Sequence, residues 1–205
     1  MEIIPAILES DWPSVAEKIK LVGDATDWVQ LDVSDGVFTP TQTWSNPGDF
    51  LSINIKSKVE VHLMVADPAE EIKRWAVDPV SRLVVPVESL KNVEHTMFNI
   101  GREVVLGFNI ETPWEMYRDL IGQVEWVLFL SVRPGYQGQE FDEQVLAKIK
   151  SFKESYPNMK LEVDGGINLE NIAKLKELGV NSAVVGSAIF ESADPVQTIA
   201  YLTKI

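Results

Sequence analysis

Short runs of β-branched and aliphatic residues alternate with longer amphipathic stretches eight times along this chain, and this alternation limits its fold more than any other feature. The strand candidates are Glu2–Leu8, Asp27–Val33, Lys58–Val65, Arg82–Val87, Glu103–Ile110, Glu125–Val132, Lys160–Asp164 and Ser182–Val185. Between them, stretches such as Ser14–Val22, Pro68–Ala76, Phe141–Ser155 and Glu170–Leu178 carry apolar residues at three- and four-residue spacing, the period of a helix with one buried face. Strands that alternate with helices build a parallel sheet, because a parallel neighbour is reached only through a crossover. Eight units without a linker or low-complexity segment predict one α/β domain over residues 1–205, closed as a (β/α)₈ barrel. That architecture usually takes about 250 residues, so this would be a compact example. The competing fold is an open doubly wound sheet, but no Gly-x-Gly-x-x-Gly follows the first strand, where a dinucleotide fold would place it.

Local signals fit the same division. Asp67-Pro68, Thr112-Pro113 and Asp194-Pro195 each set a capping residue before a proline suited to the first helical position. Gly23, Gly101, Gly122 and Gly179 follow helical stretches, where a left-handed C-cap is expected.

Composition excludes several classes of function. With no cysteine, the chain has no disulfide framework, thiolate zinc site or cysteine nucleophile. No apolar run approaches the roughly 20 residues of a membrane helix, and the first residues lack a signal-peptide pattern, so a cytoplasmic protein is expected. A net charge of −13 opposes nucleic acid and anionic membranes. It does not oppose a small anion, which backbone N–H groups can hold locally.

Chemistry is expected on the inward faces of the strands and at their carboxyl ends. Gln30 and Asp32 share a face of strand two, Glu60, His62 and Met64 a face of strand three, and Glu162 and Asp164 a face of strand seven. A lone histidine on such a face is usually a satisfied core residue. Polar residues converging from three strands need pairing, hydrogen bonds or a metal if they are to stay buried. Asp32 and Asp164, on well-separated strands, could move a proton off one face of a carbon and onto the other. With His62 and the Gln30 carbonyl they could equally hold a divalent cation such as zinc, manganese or magnesium. Glycine-rich turns then follow strands six, seven and eight: Gly135 and Gly138, Gly165-Gly166, and Gly186-Ser187. Backbone without Cβ atoms can come close to an anion, and phosphate sites recur after the last strands of this architecture.

The residues that carry this chemistry also carry a resemblance. Pro5-Ala6-Ile7-Leu8, Leu31-Asp32-Val33-Ser34-Asp35-Gly36, Val61-His62-Leu63-Met64, Ser131-Val132-Arg133-Pro134-Gly135, Glu162-Val163-Asp164-Gly165-Gly166-Ile167-Asn168 and Val185-Gly186-Ser187-Ala188-Ile189-Phe190 resemble, in order and spacing, the ribulose-phosphate 3-epimerase family. The resemblance implies a TIM barrel of the ribulose-phosphate-binding type that interconverts D-ribulose 5-phosphate and D-xylulose 5-phosphate through an enediolate. It implies Asp32 and Asp164 as acid–base pair and metal ligands, His62 as a third ligand, and Gly135, Gly138, Gly165, Gly166, Gly186, Ser187 and Met64 around the substrate and its phosphate. The expected partners are a small phosphorylated sugar and further copies of the chain.

Departures from the family gather at the sugar end. Gln30 stands where the family usually has a histidine ligand, and Ala6 where it has serine. Ser34 and Leu130 replace methionines, Pro86 replaces a histidine on strand four, and Val37-Phe38-Thr39-Pro40-Thr41 replaces His-Phe-Val-Pro-Asn. A non-catalytic phosphosugar-binding barrel is therefore the alternative to an epimerase. A Schiff-base aldolase is disfavoured, since Lys58 and Lys160, the strand lysines, stand at amino-terminal ends. Of the remaining residues, His95 is expected at the surface and the tryptophans in the packing, with Trp44 placed to cover the site.

Overall fold

A computed structural model, describing residues 1–90 and 99–205, closes eight strands into a barrel in sequence order. They are β1 (Glu2–Ile7), β2 (Trp28–Ser34), β3 (Lys58–Met64), β4 (Val80–Pro86), β5 (Glu103–Phe108), β6 (Trp126–Leu130), β7 (Lys160–Asp164) and β8 (Ser182–Val185). Every neighbouring pair is parallel, including the closing pair β1–β8. The α-helices among the described residues are α1 (Trp12–Val22), α2 (Pro68–Trp75), α3 (Arg118–Ile121), α4 (Gln144–Ser155), α5 (Ile172–Glu177), α6 (Ser187–Phe190) and α7 (Pro195–Lys204). None is long and apolar enough to cross a membrane. His95 lies outside the described residues.

The expected caps are partly realised. Asp67 and Asp194 accept from Ala69 N and Gln197 N, and Asp11 caps α1 in the same way. Thr112-Pro113 does not start an α-helix; a 3₁₀ turn, Trp114–Tyr117, comes first and has no side-chain cap. Gly101 and Gly179 have the left-handed φ of 70° and 77°. Gly23 and Gly122 do not: both keep φ −65° and continue the right-handed turn by donating to Ile19 O and Arg118 O.

Side-chain alternation divides two cores. On β2, Val29, Leu31 and Val33 point outward into the apolar layer beneath the helices, while Trp28, Gln30 and Asp32 point into the barrel. Trp44 belongs to the outer layer. Its ring packs 4.8, 5.7 and 5.6 Å from those of Trp12, Phe50 and Trp75, and its Nε1 donates to Asp49, so it does not cover the site.

Toward the amino-terminal end the barrel interior is plugged by an ionic cluster. The guanidinium of Arg82 lies between the rings of Trp28 and Trp126, 4.2 and 4.3 Å from their centroids. It bonds Glu60 at 2.9 Å, Glu162 at 3.3 Å and Glu103 at 2.9 Å. Glu60 and Glu162 thus face inward as their strand phase requires, but serve this plug rather than the carboxyl-end site. Burial, then the neighbouring Glu60 carboxylate, push Glu162 well above the ordinary carboxylate range. Above the plug, Ile4, Val84, Val105, Leu128 and Val184 are fully buried, and the site is built over them.

Candidate active site

A cleft opens at the carboxyl ends of β1, β2, β3, β6, β7 and β8. Its lining includes Asp32, His62, Met64, Gly135, Gly138, Asp164, Gly165, Gly166, Gly186 and Ser187, and also Ala6 and Leu130. Strand register explains why. Asp32 pairs with His62 across β2–β3, and Asp164 with Leu130 across β6–β7, so adjacent strands bring these side chains to the cleft in pairs.

Three side chains converge on the floor. His62 Nδ1 lies 3.6 Å from Asp32 Oδ1 and 3.7 Å from Asp164 Oδ2. It is buried and makes no hydrogen bond among the described residues. One donor atom from each of the three residues falls within a common span of 4.8 Å. Two carboxylates and an unsatisfied imidazole nitrogen turned to the same point fit a small divalent cation.

Gln30 is fully buried beside this group. Its Nε2 donates to Asp32 Oδ1 at 2.8 Å and Asp164 Oδ2 at 3.1 Å, which leaves its Oε1 without a partner. In this orientation Gln30 bridges the carboxylates as a donor. Half a turn of the amide exchanges the two atoms and would present the oxygen instead.

The glycines have separate causes. A Cβ on Gly165 would stand 2.4 Å from Val132 Cγ2, and one on Gly166 2.4 Å from Phe141 N; both residues have positive φ. Gly135 has φ 109° and lies against Thr39. Chain packing alone accounts for these three. Gly186 is different: its φ is −96°, and the nearest atom to a Cβ is the far end of a mobile side chain, Gln137 Nε2 at 3.2 Å.

A hydroxyl network, unseen in the sequence, braces the loop after β2. Ser34 Oγ meets Thr39 Oγ1 and donates to Thr41 O at 2.6 Å, while Thr41 Oγ1 donates to Gly135 O at 2.7 Å. The loop after β2 is thereby clamped to the loop after β6. Hydroxyls act here where the resembled family pattern carries other residues, and the loop's irregular path has no periodicity to reveal it.

The model of the "Ribulose-phosphate 3 epimerase family" matches residues 2–190. The chain belongs to that family. It is 31% identical over 212 residues to the cytoplasmic isoform of ribulose-phosphate 3-epimerase from Oryza sativa subsp. japonica, covering 99% of this chain and 93% of the relative. It is 33% identical over 217 residues to ribulose-phosphate 3-epimerase from Helicobacter pylori, covering 100% and 98%. Among solved structures, 3-hexulose-6-phosphate synthase from Salmonella typhimurium superposes with a TM-score of 0.77 at 16% identity, over 100% of this chain and 97% of that one. KGPDC from Streptococcus mutans in complex with D-R5P gives 0.76 at 15%, over 99% and 95%. At these identities the two structures share the fold.

The electrostatics of this family member's site set a pH dependence. Burial opposes the charge on His62, but the nearby Asp164 and Asp32 carboxylates outweigh it and raise the imidazole from 6.5 to about 9. Since the folded value is the higher, the pairing stabilises the metal-free fold fully below pH 6.5 and is lost as pH rises through about 9. A cation at Nδ1 must displace that proton, so zinc binding at pH 7.5 should release about one proton per ion. Its apparent affinity should rise with pH and level off near 9. Titration calorimetry in buffers of different ionisation enthalpy reads the proton directly, and a pH-independent affinity would remove His62 from the ligand set.

Proposed function

We propose that this chain, as a single barrel domain over residues 1–205, inverts C3 of a ketose phosphate, interconverting D-ribulose 5-phosphate and D-xylulose 5-phosphate. The observation that carries the reading is the convergence of Asp32 and Asp164 on one buried floor under a glycine-lined rim, in a member of this family. The hydrogen on C3 is acidified by the neighbouring C2 carbonyl. One aspartate removes it as general base, and the other delivers a proton to the opposite face. The two stand on β2 and β7, three positions apart around the closed barrel, which suits attack from two sides.

Burial, then the charge of Asp164, raise Asp32 above the ordinary carboxylate range, which strengthens it as a base. Asp32, His62 and Asp164 would hold a divalent cation, with Gln30 as a fourth donor once its amide is turned; zinc, manganese and magnesium are the candidates. Such an ion would polarise a substrate oxygen and lower the cost of taking a proton from the adjacent carbon. Gly135, Gly138, Gly165, Gly166, Gly186 and Ser187 would surround the phosphate, and Met64 would lie against the sugar. A homo-oligomeric, cytoplasmic enzyme is the accompanying expectation.

The test is turnover in deuterium oxide. With added zinc, manganese or magnesium, D-ribulose 5-phosphate should yield D-xylulose 5-phosphate carrying deuterium at C3. Tight sugar-phosphate binding without product or exchange would instead favour a binding barrel, the reading that Gln30 bridging the two carboxylates supports.

A further inference from the structure

Two glutamines close the loop after β6, and they are held differently. Gln139 Nε2 donates to Arg133 O at 2.6 Å and to Tyr136 O at 2.8 Å, so it braces its own loop. Gln137 reaches across the cleft. Its Nε2 donates to Ala6 O on β1, a residue 131 positions away, through one long bond of 3.3 Å. The same nitrogen lies 3.2 Å, and its Cδ 3.6 Å, from where a Gly186 Cβ would be. The carboxamide thus fills the space that Gly186 leaves open, at the junction of β1, β8 and the β6 loop. It is held there by a contact at the weak end of the hydrogen-bond range.

The charge balance of the cleft makes this amide matter. Among the described residues, Arg133 is the one lysine or arginine in the lining; its side chain is 84% exposed and faces Glu111 at 3.4 Å. The floor carries two aspartates. With so little positive charge in the described lining, neutral donors gain weight for a phosphate here, and the Gln137 amide is a side-chain donor poised over Gly186.

We propose that Gln137 is a specificity-determining residue for the phosphate group, a movable latch that leaves Ala6 O and donates to a phosphate oxygen when a sugar phosphate binds. The inference rests on the phosphosugar reading above and deepens it. A hydrogen bond from a neutral donor to a charged group is the stronger kind, while the bond given up to Ala6 is long. The latch therefore favours phosphorylated over unphosphorylated ligands. Because the phosphate does not react, the contact is equal in ground and transition states, so it acts on KM and leaves kcat in place.

The experiment compares wild type, Gln137→Ala and Gln137→Glu, each checked for native circular dichroism. The probes are D-ribulose 5-phosphate, inorganic phosphate and unphosphorylated D-ribulose, titrated by calorimetry. Gln137→Ala should weaken both phosphate-bearing probes by about 10-fold or more. It should leave D-ribulose unchanged and raise KM with kcat retained. Gln137→Glu, of the same size but anionic, should weaken them further. Unchanged or tighter binding by Gln137→Ala, with wild type binding both phosphate probes, overturns the latch and spares the phosphosugar reading. Wild type binding neither phosphate probe overturns both.

Discussion

Asp32→Asn and Asp164→Asn should each lower turnover of D-ribulose 5-phosphate by roughly 10²–10⁴-fold, the usual contribution of a positioned general acid or base. Each substitution keeps the side-chain volume and one oxygen donor while removing the ability to carry a proton. Ligand affinity should remain measurable, since the phosphate end of the cleft is untouched. The fold should also survive. The two carboxylates share one buried floor, and removing one relieves both its desolvation and the repulsion between them, while the other still pairs with His62. The two variants should differ in the face they disable, so deuterium exchange from one epimer should persist in one variant and fail in the other. Rate losses below about tenfold in both would argue against two-base proton transfer. Metal content must be measured alongside, because loss of an ion rather than of the base would show as a metal-deficient protein.

The parts of this architecture that were legible in the sequence are those with a period. Alternation along β2, β3 and β7 put Gln30, Asp32, His62 and Asp164 on inward faces, and the structure brings all four together. Periodicity marked Glu60 and Glu162 just as clearly but could not tell which end of the barrel they serve. The missing piece was Arg82. It opens a strand candidate, and its partners lie 22 and 80 residues away, so only barrel closure brings them into contact. Loops were the least legible. Trp44 sits between two irregular stretches, and its place in the aromatic cluster with Trp12, Phe50 and Trp75 follows from where that loop returns. The hydroxyl clamp of Ser34, Thr39 and Thr41 has the same character. Glycine misled in a different way: its presence signals conformational freedom without saying whether the chain uses it, as Gly23 and Gly122 illustrate.

Gly186→Asp should abolish binding of phosphorylated sugars while the barrel stays folded. Among the glycines at the rim this one separates ligand approach from chain packing. Substituting Gly165 or Gly166 would drive a Cβ to 2.4 Å from Val132 or from the Phe141 backbone at a positive φ, so lost binding there would only report a disturbed loop. Gly186 has φ −96°, and what stands nearest its missing Cβ is the Gln137 amide, which can swing aside, with Ala6 O at 3.6 Å. The substituted Cβ would meet that movable amide and Ala6 O, and the side chain would bring a carboxylate to the position assigned to phosphate; like charges set against each other cost several kcal/mol, equivalent to roughly 100-fold or more in affinity. Gly186→Ala separates shape from charge and should give a smaller loss, since Gln137 can retreat from a methyl group. Calorimetry with D-ribulose 5-phosphate, beside thermal unfolding of each variant, reads both quantities. If Gly186→Asp binds as tightly as wild type, the phosphate does not sit at the end of β8, and the glycine there serves only to make room for Gln137.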